Sequence, residues 1–187
     1  MNIVIITPET LVDHEIATCN ELLHRDVRLH VRKPTWSFDE VKKYIEQIDS
    51  KHYQKISLHQ AHPLVDEMNL GGIHQKSQDD GPINPSKVYS KSFHSLRDIS
   101  RTRADLNYGF LSPIYDSISK QNYLSHFDLD KLQSELRRIK SFPLYALGGV
   151  MIDHHTELED IGFDGMVLLG SFWKHHDIES RLHYLNK

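Results

Sequence analysis

The sequence predicts a small (β/α)8 TIM barrel, and three observations carry that reading. Short apolar runs alternate with amphipathic segments along the whole chain, eight such strand–helix units can be counted, and the last two strands end in glycine, at Gly148-Gly149 and Gly170-Ser171. Strands separated by helices pair in parallel, because a parallel neighbour is reached only through a crossover. Eight units then favour closure into a barrel. An open doubly wound sheet is the alternative fold, although its GxGxxG fingerprint is missing after the first strand. At 187 residues the barrel must use several short helices, and one domain spanning 1–187 is expected.

Residues 3–6 form the first apolar run, and Thr7-Pro8-Glu9 has the form of a helix start, with a hydroxyl at the cap and proline in the first turn. Val12, Ile16, Cys19 and Leu23 follow at helical spacing, which makes Cys19 a core residue rather than a nucleophile. Residues 28–33 (RLHVRK) form strand two, closed by Pro34, and Ser37-x-x-Glu40 is a capping box ahead of Val41, Tyr44, Ile45 and Ile48. Strand three covers residues 55–60, a short helix 63–68, strand four 72–75 and strand five 87–92, with a helix from about Ser95. Strand six opens the stretch 107–120, NYGFLSPIYDSISK, where aromatic and branched bulk gives way to Ser-Pro and Asp-Ser turn pairs. Leu129, Leu132, Leu136 and Ile139 stripe the next helix, strand seven begins at 143–147, strand eight covers 166–169, and Ile178, Leu182 and Leu185 stripe the last helix.

Composition removes several function classes. A formal charge of −4 argues against a general nucleic-acid binder or a protein of anionic membranes, whose footprint is a clustered excess of Lys and Arg. The single cysteine suits a reducing compartment, the first apolar run is too short for a signal peptide, and no run reaches membrane-spanning length. A cytoplasmic protein is expected, with homo-oligomerisation left open.

A barrel of this kind carries its chemistry at the carboxyl ends of its strands and often holds phosphate on the loops after strands seven and eight. That rule gathers Arg32 and Lys33, His59 and Gln60, His74, Asp79 and Asp80, Ser92 and His94, and Ser117, Ser119 and Lys120 into one mouth. Hydroxyls beside a lysine suit a phosphorylated ligand, the hydroxyls donating hydrogen bonds and the ammonium supplying a point charge. Gly148, Gly149, Gly170 and Ser171 would bring backbone N–H groups close to an anion. Asp79 and Asp80 offer hard oxygen ligands for Mg2+, while an Asp-Asp-Gly run also makes an ordinary loop.

In order along nearly the whole chain, LHVRK, GIHQKSQDD, SKSFHS, YGFLSPIYDSISK, YALGGV and GFDGMVLLGSF resemble the motif series of the thiamine phosphate synthase/TenI superfamily. Its members are small TIM barrels. The resemblance implies a thiamine-biosynthesis enzyme that couples hydroxymethylpyrimidine pyrophosphate to thiazole phosphate with Mg2+ and releases pyrophosphate. The alternatives it leaves are a TenI-like tautomerase of thiazole phosphate and a non-catalytic thiazole-phosphate binding or regulatory protein. Carried over by position, it makes Ser117, Ser119, Gly148, Gly149 and Gly170 phosphate-binding residues, beside which Ser171 is placed by the barrel rule, Arg32, Lys120 and Ser92 catalytic ones, and Asp79 a metal ligand, with His59 added to the catalytic set as a candidate histidine. The chain departs from the motifs on one side. The family's Gln-x-Arg-x-Lys stands here as His30-x-Arg32-x-Pro34, with Lys33 next door, and its Asn-Asp at the end of strand three as His59-Gln60. Pro113 occupies the place of TenI's acid/base histidine, so His59, His74 and His94 are the candidate proton carriers.

Overall fold

A computed structural model describes residues 1–79, 85–102, 105–116 and 127–186. The strands are β1 (Asn2–Ile6), β2 (Val27–Val31), β3 (Ile56–Leu58), β4 (Gly72–Gln75), β5 (Val88–Phe93), β6 (Tyr108–Leu111), β7 (Leu144–Ala146) and β8 (Gly165–Leu168). They pair in sequence order, every pair parallel, and β8 returns to β1 to close the barrel.

Alternation along each strand divides the side chains into two sets. The outward set (Ile5, Leu29, Val31, Leu58, Leu144, Met166) packs in a shell with helix residues such as Leu22, Val41, Leu132 and Leu158. The inward set includes a small apolar cluster of Val4, Ile6, Tyr108, Phe110, Tyr145 and Val167. The Tyr108 and Tyr145 rings stack at 4.7 Å and 3°. Register sets the rest of the lumen by pairing His30 with Ser57, His74 with Ser90, and Ser92 with Phe110. A TIM-barrel interior is usually filled by branched aliphatic residues, so this run of imidazoles and hydroxyls is unusual.

The helices are α1 (Glu15–Leu23), α2 (Phe38–Ile45), α3 (Leu64–Glu67), α4 (Leu96–Arg101), α5 (Leu129–Ile139), α6 (His155–Ile161), α7 (Gly170–Trp173) and α8 (Ile178–Tyr184). Ser37 and Glu40 form the reciprocal capping box the sequence predicts, and Ser95 caps α4. Cys19 is fully buried in α1, and burial pushes its thiol up to about 12, as befits a core residue. No helix of the described residues is long and apolar enough to cross a membrane.

One helix expectation is corrected. Thr7-Pro8-Glu9 starts no helix: α1 begins at Glu15, after His14 in a left-handed conformation (φ 60°). The Thr7 hydroxyl is taken by the barrel, accepting a hydrogen bond from the Arg32 backbone N–H at 2.9 Å. The start of the helix is fixed instead by Glu15, whose carboxylate accepts from the Val12 N–H at 3.1 Å.

Candidate functional site

Arg32 and His59 stand one residue beyond β2 and β3, and the inward parity of Arg28 and His30 places both at the barrel mouth. Lys33, of opposite parity, faces away from it. Its ammonium is fully buried against Glu15 at 2.7 Å, over the rings of Trp36 and Tyr44 at 5.0 and 5.3 Å. Tyr44 also donates its hydroxyl to Glu15 at 2.6 Å. Lys33 therefore joins β2 to α1 and does not replace the missing lysine of the mouth. Arg32 holds Glu9 at 2.6 Å, both side chains partly exposed.

Below Arg32 three imidazoles meet. His30 Nδ1 lies 3.0 Å from His59 Nε2, and its Nε2 lies 2.6 Å from the Tyr108 hydroxyl. His74 sits between two serines, Nδ1 2.8 Å from Ser90 Oγ and Nε2 2.8 Å from Ser92 Oγ. The His59 and His74 rings stack at 4.1 Å, and His74 stacks on Phe110 at 4.6 Å. Burial, reinforced by the neighbouring rings and arginines, drives His30 and His59 well below the ordinary imidazole range and His74 to about 3. All three are neutral at physiological pH. His94 lies apart, its Nδ1 3.1 Å from the Ser112 carbonyl oxygen.

On the far side of the mouth, Gly148 and Gly149 adopt φ of +90° and +65°. A Cβ on Gly148 would stand 2.8 Å from Pro113, and one on Gly149 2.5 Å from the Asp116 carbonyl oxygen. These glycines let the loop after β7 lie against the loop after β6, and Tyr115 N–H donates to the Gly148 carbonyl at 3.0 Å. Gly170 and Ser171 open α7, with the Ser171 hydroxyl donating to the Val150 carbonyl at 2.7 Å. Ser117, Ser119, Lys120 and Asp80 lie outside the described residues.

Of the two carboxylates in the Mg2+ expectation, Asp79 is among the described residues. Asp79 directs one carboxylate oxygen at the Lys76 backbone N–H, 2.9 Å away. Gln60, at the family's second carboxylate, has its Nε2 buried without a hydrogen-bond partner among the described residues. Among the described residues Asp79 is thus the one carboxylate of this set, with an oxygen left for a hard cation, and Asp80 lies outside them.

The residues missed by sequence reasoning are His30 as a site residue and Tyr108 as its partner. Both stand at inward strand positions, where a polar residue is the exception, and that parity was the available signal.

The chain matches no protein-family profile. It is 27% identical over 115 residues to a thiamine-phosphate synthase of Oceanobacillus iheyensis, covering 58% of this chain and 55% of that protein. It is 19% identical over 130 residues to thiamine-phosphate synthase 1 of Streptococcus pneumoniae, covering 66% and 62%. The matches thus span less than two thirds of these curated relatives. A crystal structure described as thiamine phosphate pyrophosphorylase from Bacteroides thetaiotaomicron superposes with a TM-score of 0.82 and 26% identity, over 100% of this chain and 96% of that one. In sequence and fold the chain is thus similar to proteins of the thiamine phosphate synthase/TenI superfamily. A Pyrococcus furiosus thiamine phosphate pyrophosphorylase, at 15% identity and a TM-score of 0.79 over 99% and 93%, shares the fold. In this chain imidazoles crowd the β2–β4 side of the mouth and paired glycines form the opposite side.

Proposed function

We propose that the chain is a synthase-type transferase of thiamine biosynthesis, joining hydroxymethylpyrimidine pyrophosphate to thiazole phosphate with release of pyrophosphate. The observation that carries this reading is the placement of Arg32 at the mouth, across from the Gly148-Gly149 loop, in a chain similar to proteins named thiamine-phosphate synthase. Such a site works by holding two phosphorylated partners in line and stabilising the departing anion.

Arg32 is the described cation for that anion. A guanidinium matches phosphate oxygens in bidentate fashion, so pyrophosphate would displace the partly exposed Glu9 carboxylate. The Ser92 hydroxyl, fixed by His74, and the ring edge of His59 supply neutral hydrogen-bonding groups beneath it. Lys120, Ser117 and Ser119, with the backbone of Gly148, Gly149, Gly170 and Ser171, belong to the same proposal as the thiazole phosphate side. Mg2+ belongs to it as the counter-ion of the pyrophosphate ester, with Asp79 as its one described carboxylate.

The test is pyrophosphate release by the purified protein given both precursors and Mg2+. Release with thiamine phosphate formed is expected; no release while thiazole phosphate still binds would overturn the transferase reading. The imidazole cluster favours a second reading, a TenI-like tautomerase. Turnover of the thiazole phosphate isomer with neither pyrophosphate substrate nor Mg2+ would establish it.

A further inference from the structure

The three lumen histidines come from consecutive strands and place one ring nitrogen each within 4.8 Å of the other two. We propose that His30, His59 and His74 bind one divalent transition-metal ion of the Zn2+ or Co2+ class, with its remaining position open to the mouth.

The three nitrogens lie within 4.8 Å of one another, and the His59 and His74 rings, stacked at 4.1 Å and 26°, must turn for their nitrogens to converge on one ion. Zinc–imidazole bonds of about 2.0–2.1 Å at tetrahedral angles separate ligand nitrogens by ~3.3 Å. The His30 Nδ1 to His59 Nε2 pair, at 3.0 Å, needs to open by a few tenths of an ångström. His74 closes the triangle by surrendering one serine contact and keeping the other. Imidazole ligands are characteristically oriented by a hydrogen bond on the second ring nitrogen. Tyr108 does this for His30 at 2.6 Å, and whichever of Ser90 and Ser92 is retained does it for His74. Burial keeps the rings unprotonated, which is the ligating form.

Donor chemistry selects the ion. Nitrogen ligands suit zinc, cobalt, nickel and copper, whereas Mg2+ prefers carboxylate, carbonyl and water. None of the three ligands brings negative charge, so a bound ion keeps its full charge and attracts an anionic fourth ligand. His59, partly exposed while His30 and His74 are buried, marks the open side. Three histidines with an open position form a reactive site rather than a structural one. That position takes a water, or a phosphate oxygen of a ligand in the mouth. The metal site does not depend on the transferase reading, because its donors are present whatever the mouth binds.

The test titrates full-length, chelator-treated protein with Co2+ and follows the visible absorption of four-coordinate cobalt, with Zn2+ displacement and thermal unfolding alongside. One ion per chain is expected, undisturbed by excess Mg2+, with a raised melting temperature. His59→Ala at the mouth should abolish the band. His30→Gln, which installs the family residue at that position, should do the same while folding normally without metal. Tyr108→Phe should weaken binding about 10–100-fold, as loss of an orienting partner does. The exposed His155→Ala and His176→Ala should leave the band unchanged. Wild-type protein with no four-coordinate cobalt band, or His59→Ala and His30→Gln proteins that bind as well as wild type, would overturn the site and leave a neutral imidazole network.

Discussion

The two sides of the barrel mouth are built from different materials. On the β6–β8 side the backbone meets itself: Gly148 and Gly149 sit at positive φ because a Cβ on either would strike Pro113 or the carbonyl of Asp116. On the β2–β4 side it is side chains that meet, with His30, His59 and His74 on Tyr108, Ser90 and Ser92, while Lys33 is turned outward onto Glu15. A site made of backbone depends on the absence of side chains and tolerates change around it. A site made of side chains can be rebuilt residue by residue on an unchanged barrel. The departures from the family motifs fall on the side-chain half, where the fold does not oppose them.

The largest expected effect tests the anchoring of that half. Lys33→Ala leaves the Glu15 carboxylate buried and unpaired, which should cost roughly 3–5 kcal/mol in denaturant unfolding. The double variant Lys33→Met with Glu15→Leu should recover most of it, since apolar replacement of a buried pair is often neutral. A single variant as stable as wild type would mean that Lys33 is not held where it is seen.

The backbone half breaks differently. Gly149→Ala forces an L side chain to φ +65° with its Cβ on the Asp116 carbonyl, so up to about 3 kcal/mol should be lost along with thiazole phosphate affinity. Intact affinity in a destabilised protein would limit this glycine to packing and move the phosphate elsewhere.

Acid should distinguish the halves next. His74 has a folded-state pKa of about 3 against an ordinary 6.5, so the unfolded chain takes up its proton first as pH falls. Above pH 6.5 neither state is protonated there and the group is neutral to stability. Below it, stability falls until pH reaches about 3, by about 1.4 kcal/mol per pH unit, or about 2 kcal/mol by pH 5 for this histidine alone. His30 and His59 act in the same direction. Urea unfolding at pH 7, 6 and 5 with a chelator present should show the slope, and His74→Gln should flatten it. An equal slope in the variant would assign acid sensitivity to groups outside the lumen.

The barrel was legible because its signals are local. Ser37-x-x-Glu40 became the capping box of α2, and the strand positions emerged within one or two residues at most ends. Gly148-Gly149 could be placed at the mouth because a glycine pair after a strand means the same thing wherever the chain goes next. The false start at Thr7-Pro8-Glu9 has the opposite character: the Thr7 hydroxyl is claimed by the backbone of Arg32, 25 residues away, and no local pattern encodes that. The imidazole cluster was scattered over positions 30, 59 and 74, and only the register of three strands unites it. Strand parity applied to each histidine in turn would have found it, and would also have turned Lys33 away from the mouth.

The smallest effect concerns Arg32, the guanidinium at the side-chain half. Its contact with Glu9 is partly exposed on both sides, a class of ion pair worth about 0–1 kcal/mol, so Glu9→Gln should leave stability unchanged. If pyrophosphate must displace that carboxylate, the same variant should lower KM for the pyrophosphate substrate by up to about fivefold, the equivalent of ~1 kcal/mol. Arg32→Ala should raise it by about 10–100-fold, because a hydrogen bond to a charged group contributes ~1.5–3 kcal/mol. The two changes have opposite signs only if Glu9 competes with the ligand. Should Glu9→Gln raise KM as Arg32→Ala does, Glu9 orients the guanidinium for its anion, and the carboxylate on the altered side is part of the site rather than a block to it.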